Sequence, residues 1–445
     1  MARADTWVIV LTPALSFATL AVGLHVGASG ETVAAVVEGA PPSGENMRLA
    51  WQVKVYRADR GVREVVPNEA LTVTLDHSGH TSSLAITTTP DGVAEMVAPL
   101  PGVRGGDDVV LSISRARDGL VLAQGHTTVP AFAKRGSESK GFLPYFARDG
   151  AIVLDVATEG GALPGALPGI VSIRAKDASG QPVVGATLTF EANDFGIEKP
   201  ETTRVGGWAN VSALALLNGE LKITATKGDL KGTWSGAIPV KLGAIRAAIM
   251  PEPSNPDHKM LTLVRATTSA AQAYVEIDDA HGRAWAATPL LEPAPNGGSI
   301  GAQISLPQDL ATDRVWVVAG TLPDSAETLA AGTSAWMQID DPSPSSEVLG
   351  ARSIVKAGTF GRTVVLDGFA LASARASERK KKGLTIAIGA LVAGAIVEAI
   401  AILRGASKGS AVKATWITGK MGTIVIGVGL AIVGFFMLAA FVATH

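Results

Sequence analysis

Between residues 47 and 130, apolar and polar residues alternate in short runs: "MRLAWQVKVYRADRG", "ALTVTLDHSGH", "VVLSISRARDG" and "LVLAQGHTTVP". A period of two puts every second side chain on one face, which is the pattern of a half-buried strand. Gly, Asp and Asn punctuate the runs at a spacing of roughly 8 to 12 residues, as β-sandwiches require. The alternation resumes in "AQAYVEIDDAHGRAWAA", "GAQISL", "DRVWVVAG" and "TSAWMQID". Three stretches break it by being apolar almost throughout: residues 7–24, 384–403 and 423–443. Each has close to the ~20 residues that a bilayer-spanning helix needs. The pattern predicts a mainly β chain of tandem sandwiches, with a transmembrane helix before them and a two-helix transmembrane hairpin after.

The sandwich region repeats itself. "VKVYRADRGVREVVPNEALTVTL" from Val53 lines up with "VSIRAKDASGQPVVGATLTFEAN" from Val171, and "TTTPDGVAEM" from Thr87 with "TTRVGGWANV" from Thr202. Each copy reads as a strand, a polar Asp/Gly turn (Asp59 to Gly61; Asp177 to Gly180), a second strand, and a Thr-rich strand entering a tight turn at Gly92 or Gly207. "DASGQPVVGATLTFEAN" followed by "TTRVGGWANVSA" resembles the bacterial immunoglobulin-like repeats of invasin-type proteins and the related macroglobulin-type and carboxypeptidase-regulatory-like sandwiches. "PDGVAEMVAPLP" in the first copy is similar to the macroglobulin variety. The resemblance covers about residues 45–240. It implies an exported module used for adhesion, spacing or protein contact. A macroglobulin protease trap needs a thioester cysteine, and this chain has no cysteine. Residues 241–340 are a sandwich by pattern alone.

The expected order is a signal anchor or signal peptide at 1–29, Ig-like sandwiches at 30–133 and 148–240, and a third sandwich at 241–340. A linker and basic juxtamembrane segment at 341–383 follows, then helix 384–403, a basic loop at 404–422 and helix 423–443. A small-residue site at Val26-Gly27-Ala28 fits cleavage, whereas the length of the run and its weak basic flank favour a retained anchor. With the first residues inside, the loop bearing Arg404, Lys408, Lys413 and Lys420 lies in the cytoplasm, as the positive-inside rule prefers. The cluster Arg375, Arg379, Lys380, Lys381 and Lys382 then lies outside, against that rule and within reach of anionic head groups. Both ends of the exterior region are tethered, so it forms a closed arch.

Ala390, Gly394 and Glu398 share one helical stripe in the second apolar stretch, and Thr423, Gly427, Ala431 and Gly434 share one in the third. Small residues on such stripes let helices approach closely. Glu398 falls about 21 Å along its span, nearer the basic loop. Arg404 or Lys420 reaching inward would pair with it, or it stays protonated beside Thr418 or Thr423; the functional alternative is an ion- or proton-coupled role.

Composition removes other classes of function. The chain of 445 residues has 38 Lys and Arg against 40 Asp and Glu, so no basic excess is available to neutralise phosphates and no nucleic-acid partner is expected. The lack of cysteine excludes disulfides, thiolate nucleophiles and cysteine-bearing zinc sites. His77, His80, His126, His258 and His281 sit in no hydrolase or metalloprotease motif. "DHSGH" and "EIDDAHGRAW" read as polar hairpin tips, the first with a His-x-x-His spacing and the second with Asp278, Asp279 and His281 too few in oxygen ligands for a calcium loop. Trp51, Trp208, Trp234, Trp285, Trp316 and Trp336 are expected in cores. No cofactor, no metal and no catalysis are expected. The chain reads as a membrane-tethered scaffold or binding protein of the bacterial envelope, its β domains outside the cytoplasmic membrane, with membrane lipids and an envelope protein as partners. The alternative is an accessory subunit of a membrane complex for transport, secretion or motility, assembled through the hairpin and Glu398.

Overall fold

The computed structural model describes residues 18, 20–21, 32–43, 48–59, 62–131, 142–158, 161–193, 195–197, 201–278, 281–295, 297–310, 315–322, 333–337 and 362–407. The chain divides into two units. One holds residues 1–34, 57–64 and 369–445, and the other 35–56 and 65–368.

Most of the described strands fall into three sandwiches. The first comprises β1 (Thr32–Gly39), β2 (Arg48–Asp59), β3 (Val62–Val65), β4 (Ala70–His77), β5 (His80–Thr87), β6 (Val93–Pro99), β7 (Asp108–Arg115) and β8 (Val121–Thr128). The second comprises β9 (Ala147–Gly150), β10 (Val153–Thr158), β11 (Leu163–Pro164), β12 (Pro168–Lys176), β13 (Thr187–Ala192), β14 (Phe195–Ile197), β15 (Glu201–Thr202), β16 (Trp208–Ala215), β17 (Gly219–Lys227), β18 (Leu230–Ile238) and β19 (Val240–Lys241). The third comprises β20 (Ile245–Glu252), β21 (Asn255–Arg265), β22 (Ala271–Gln272), β23 (Tyr274–Asp278), β24 (Arg283–Ala287), β25 (Leu290–Pro293), β26 (Ile300–Ser305), β27 (Val315–Gly320) and β28 (Thr333–Met337). A last strand, β29 (Thr363–Asp367), precedes the helix α1 (Phe369–Ser407).

Corresponding strands of the first two sandwiches pair alike. β2 pairs with β6 where β12 pairs with β16, and the sheet β5-β4-β7-β8 has its counterpart in β15-β13-β17-β18-β9. The repeated Thr and Gly explain why. Thr88 and Thr203 are both buried. Thr88 Oγ1 donates to the Val66 carbonyl (3.0 Å) and accepts from the Glu69 amide (2.8 Å). Thr203 Oγ1 does the same with Val183 (2.7 Å) and Ala186 (2.9 Å). Each hydroxyl thus satisfies two loop groups that burial would otherwise strand. Four residues on, Gly92 and Gly207 have φ of 71° and 74°. A Cβ at Gly207 would lie 2.3 Å from the Ala175 carbonyl oxygen, so the glycine answers both to its backbone angle and to a close backbone approach.

The cores follow the alternation. Trp51, Val53, Met96, Leu71, Val73, Leu111 and Ile113 of the first sandwich are all fully buried. Trp234, Ile152, Ile173, Leu188 and Ile223 fill the second, and Trp285, Val275, Ile277, Leu261 and Val317 the third. Each such side chain contributes about 1.5–3 kcal/mol. Trp208 is also buried, with Arg174 5.4 Å above its ring. The side chains of Trp316 and Trp336 lie outside the described residues. "PEPSNPDHK" turns the long β20–β21 hairpin, in which Glu252 faces Asn255. "GALPGALPG" supplies β11, which pairs in parallel with β19.

One part of the reading from sequence changes. Residues 341–383 do not run to the apolar stretch simply as linker and juxtamembrane segment, because 363–367 form β29 at the edge of the first sandwich. Val36 faces Asp367 and Gly39 faces Thr363. Thr127 Oγ1 of β8 donates to the Val365 carbonyl (2.6 Å), and Leu122 and Ala35 carbonyls crowd Gly368 so closely that a Cβ would lie 2.0 and 2.8 Å from them. The first sandwich is therefore closed by a strand that follows the third, and the sandwiches between are an insertion into it.

In the other unit α1 is one continuous helix through the basic cluster and the second apolar stretch. Arg63, at the tip of the β2–β3 hairpin, stacks 4.0 Å above the Phe369 ring at its start. Among the described residues, no helix is long and apolar enough to cross a membrane. The apolar part of α1 passes after Val397 into side chains outside the described set.

Candidate functional site

A cluster of buried charge joins the first sandwich to the third. On β6 the residues Ala94, Met96 and Ala98 fill the first core, so alternation turns Glu95 and Val97 to the other face. Val97 there packs against the core of the third sandwich. Glu95 is held on its own sheet by Gln52, its register partner on β2, whose Nε2 donates to Oε1 at 2.8 Å. From the third sandwich comes Arg283, the first residue of β24, whose side chain is 2% exposed. Its Nη1 donates to Glu95 Oε2 at 2.9 Å, and its Nε lies 2.9 Å from Glu276 Oε2 on β23. Asp278, buried on β23, is Arg283's register partner.

The backbone reinforces the joint. The Arg283 amide donates to the Pro41 carbonyl at 2.9 Å, and Pro42 forms a parallel bridge with Arg283. Gly282 lets the two segments meet, since a Cβ there would lie 2.2 Å from the Pro41 oxygen. Beside it, Tyr274 Oη donates to Asp91 Oδ2 (2.5 Å) and lies 2.8 Å from Thr89 Oγ1. Arg48 and Asp309 form a further ion pair between the two sandwiches.

Burial acts to discharge the Arg283 guanidinium, but the Glu95 and Glu276 carboxylates outweigh it, and its pKa is raised. Burial, helped by Asp91, raises the pKa of the Tyr274 hydroxyl, which stays a donor. Such a cluster is an interlock. Glu95 is compensated by Arg283 only while both sandwiches are in place, whereas Glu276 pairs with Arg283 within the third.

The residues singled out from sequence fall elsewhere. Arg375, Arg379, Lys380, Lys381 and Lys382 all lie on α1 ahead of its apolar part, with the three lysines exposed. Ala390 is half-buried and Gly394 buried on the same helix. Glu398 and Arg404 lie on α1 with side chains outside the described set, as do Lys420, Thr423, Gly427, Ala431 and Gly434 entirely. His77 and His80 face each other at the β4–β5 turn. Among the described residues, no group of three His, Cys, Asp or Glu is placed to hold a metal ion. "EIDDAHGRAW", read as a polar hairpin tip, instead buries Asp278 and Arg283 in the joint. The legible signal was Glu95, one acid inside the apolar run "VAEMVAP".

No family model matches the chain, and no curated protein matches it. The solved structures it is similar to are bacterial immunoglobulin-like proteins. A tetra-tandem repeat from the extending region of a large adhesion protein is 14% identical, covering 69% of this chain and 74% of that one, with a TM-score of 0.18. Invasin, a bacterial integrin-binding protein, is 13% identical over 69% of this chain and 60% of its own, with a TM-score of 0.17. The alpha-2-macroglobulin of E. coli is 11% identical over 70% of this chain and 23% of its own, at 0.17. At these scores the superpositions carry no argument of their own, and the sandwich assignment stands on the strand pairing above.

Proposed function

We propose that the chain is a non-catalytic scaffold or binding protein of the bacterial cell envelope, its sandwiches held outside the cytoplasmic membrane by the apolar stretches. The observation that carries this reading is the pairing of β1 with β29. The Gly368 amide donates to the Ala35 carbonyl at 2.9 Å, so the first and last residues of the sandwich unit meet. A unit whose first and last residues meet presents its modules as a body, which suits display or positioning. The buried interlock of Arg283 favours the same role, because it fixes the first and third sandwiches against each other. The basic run on α1, next to an apolar stretch, suits contact with anionic lipid head groups, and a protein of the envelope is the expected partner.

Fractionation with protease added to intact spheroplasts tests the reading. The chain is expected in the membrane fraction, with its sandwiches cleaved from outside. Recovery in the soluble cytoplasmic fraction overturns it. Assembly into a larger complex through Glu398 is the rival, supported by the buried Gly394 one turn before it on α1. Loss of a co-purifying partner on Glu398→Leu, with the sandwiches intact, would favour that rival.

A further inference from the structure

In the second sandwich, alternation turns one side of the sheet β10-β12-β16-β14 away from the core. Leu154 and Val156, Ile173 and Ala175, and Ala209 and Val211 fill that core. Asp155 on β10, Arg174 and Lys176 on β12 and Trp208 on β16 therefore lie on the outer side. Asp155 is the register partner of Arg174, and Arg174 of Trp208. The three form one row across neighbouring strands, spanning about 10 Å.

Aromatic rings flank this row. Trp208 is 2% exposed although it stands outside the core. Phe142 stacks on it with ring centroids 6.5 Å apart and planes at 16°, and the Arg174 guanidinium lies 5.4 Å from its ring. Phe142 is itself 39% exposed, and Tyr145 and Phe146 are 54% and 66% exposed. Backbone bonds hold the segment that carries them, since the Leu143 amide donates to the Val156 carbonyl and the Phe146 amide to the Ser235 carbonyl, each at 2.7 Å. Exposed apolar rings on a fixed edge mark a contact surface, and their fixing lowers the entropy lost on binding.

Charge gives the partner its sign. Arg148, whose guanidinium lies 5.5 Å from the Tyr145 ring, pairs with Asp155 at 2.8 Å, and Lys176 pairs with the same carboxylate. Asp177 is engaged in its own turn, accepting from the Ser179 and Gln181 amides, and Glu201 pairs with Arg204. Among the described residues Arg174 has no carboxylate partner, and its Nε has no acceptor. One carboxylate thus serves three cations, in a chain whose formal net charge is -2. A guanidinium stacked on an indole keeps its N–H edge for bidentate pairing with a carboxylate. Phe142 and Tyr145 beside it offer negative ring faces, on which the C–H groups of a sugar settle. An acidic peptide would use the cations and leave the rings idle.

We propose that this row binds a polysaccharide that carries carboxylates, a polyuronate, with Arg174 pairing to a carboxylate and Phe142 and Tyr145 holding sugar rings. The site stands on the second sandwich alone, so it goes beyond the envelope role proposed above and does not require it.

Binding of the full-length chain, purified in detergent, to immobilised polygalacturonate tests this, with dextran as a neutral sugar and polyglutamate as a polyacid without sugars. Polygalacturonate should bind more tightly than either. Arg174→Gln should weaken its binding by about tenfold or more, as loss of a charged hydrogen bond does. Tyr145→Ala should weaken it by about threefold to tenfold, as loss of a ring contact does. Lys231→Ala, which removes an exposed cation from β18 in the other sheet, should leave it unchanged. Near-ultraviolet circular dichroism checks that Trp208 keeps its setting in Arg174→Gln, and Tyr145→Ala carries the test if that variant unfolds, because it removes an exposed ring. Failure of polygalacturonate to bind overturns the proposal. So does equal binding of dextran or polyglutamate, unaltered binding in Tyr145→Ala, or a loss in Lys231→Ala as large as that in Arg174→Gln.

Discussion

Asp118 ties the turn between β7 and β8. It accepts from Arg115 Nε (3.0 Å) and Nη2 (2.6 Å) and from the Leu120 amide (3.1 Å). These bonds, that of Arg115 first, lower its pKa to about 2. The folded value lies below the unfolded one of about 3.9, so the stabilisation is present above that value and is lost as pH falls towards 2. The carboxylate is solvent-exposed, so the effect on stability is small. Carboxyl NMR titration should give a midpoint near 2, and a midpoint near the unfolded value would mean that the turn is not closed in this way. Arg283 is the opposite case, a buried cation. Arg283→Ala leaves Glu95 and Glu276 uncompensated and should cost about 3–5 kcal/mol in urea denaturation. A loss below about 1 kcal/mol, the range of exposed pairs, would show that the joint is open to water.

Among elements, β29 is the least expected and the most constrained. Gly368→Ala drives a methyl group into the carbonyls of Leu122 and Ala35. Overpacking of this kind costs about 1–3 kcal/mol. Hydrogen exchange should show lost protection in β1 and β8, while the second sandwich keeps its own; unchanged protection in β1 would argue against the closure. Legibility in the sequence divides along the same line. The Thr88 and Gly92 turn and its copy at Thr203 and Gly207 were readable, because hydroxyl bridging and positive φ are local demands that leave local residue types. So were the tryptophan cores, because alternation reports which face is buried. "TVVLD" was not readable as part of the first sandwich, because its partner Val36 lies at the far end of the sandwich region and pairing leaves no mark on spacing. Arg283 was not readable either. An arginine beside a turn looks solvated until a second sandwich covers it, and nothing near it in sequence names Glu95.

At the scale of the whole chain, the contact that carries buried charge joins the first sandwich to the third. The first two sandwiches are copies in sequence, yet the partner that shares buried charge with the first is the third. Repetition along the chain has therefore not produced repetition of interfaces. The interlock of Arg283, Glu95 and Glu276 is specific to one pair, as buried ionic groups can be when they fix a register more than they add stability.

The place of β29 in chain order also bears on synthesis. Until residue 367 has emerged, β1 presents a row of unpaired amides and carbonyls, the template on which other chains assemble. A product that stops short of Thr363 keeps that sticky edge for good, however well its second and third sandwiches fold. Completion of the polypeptide is thus coupled to masking of its own aggregation site, and truncated copies should be cleared or precipitate where full-length ones persist.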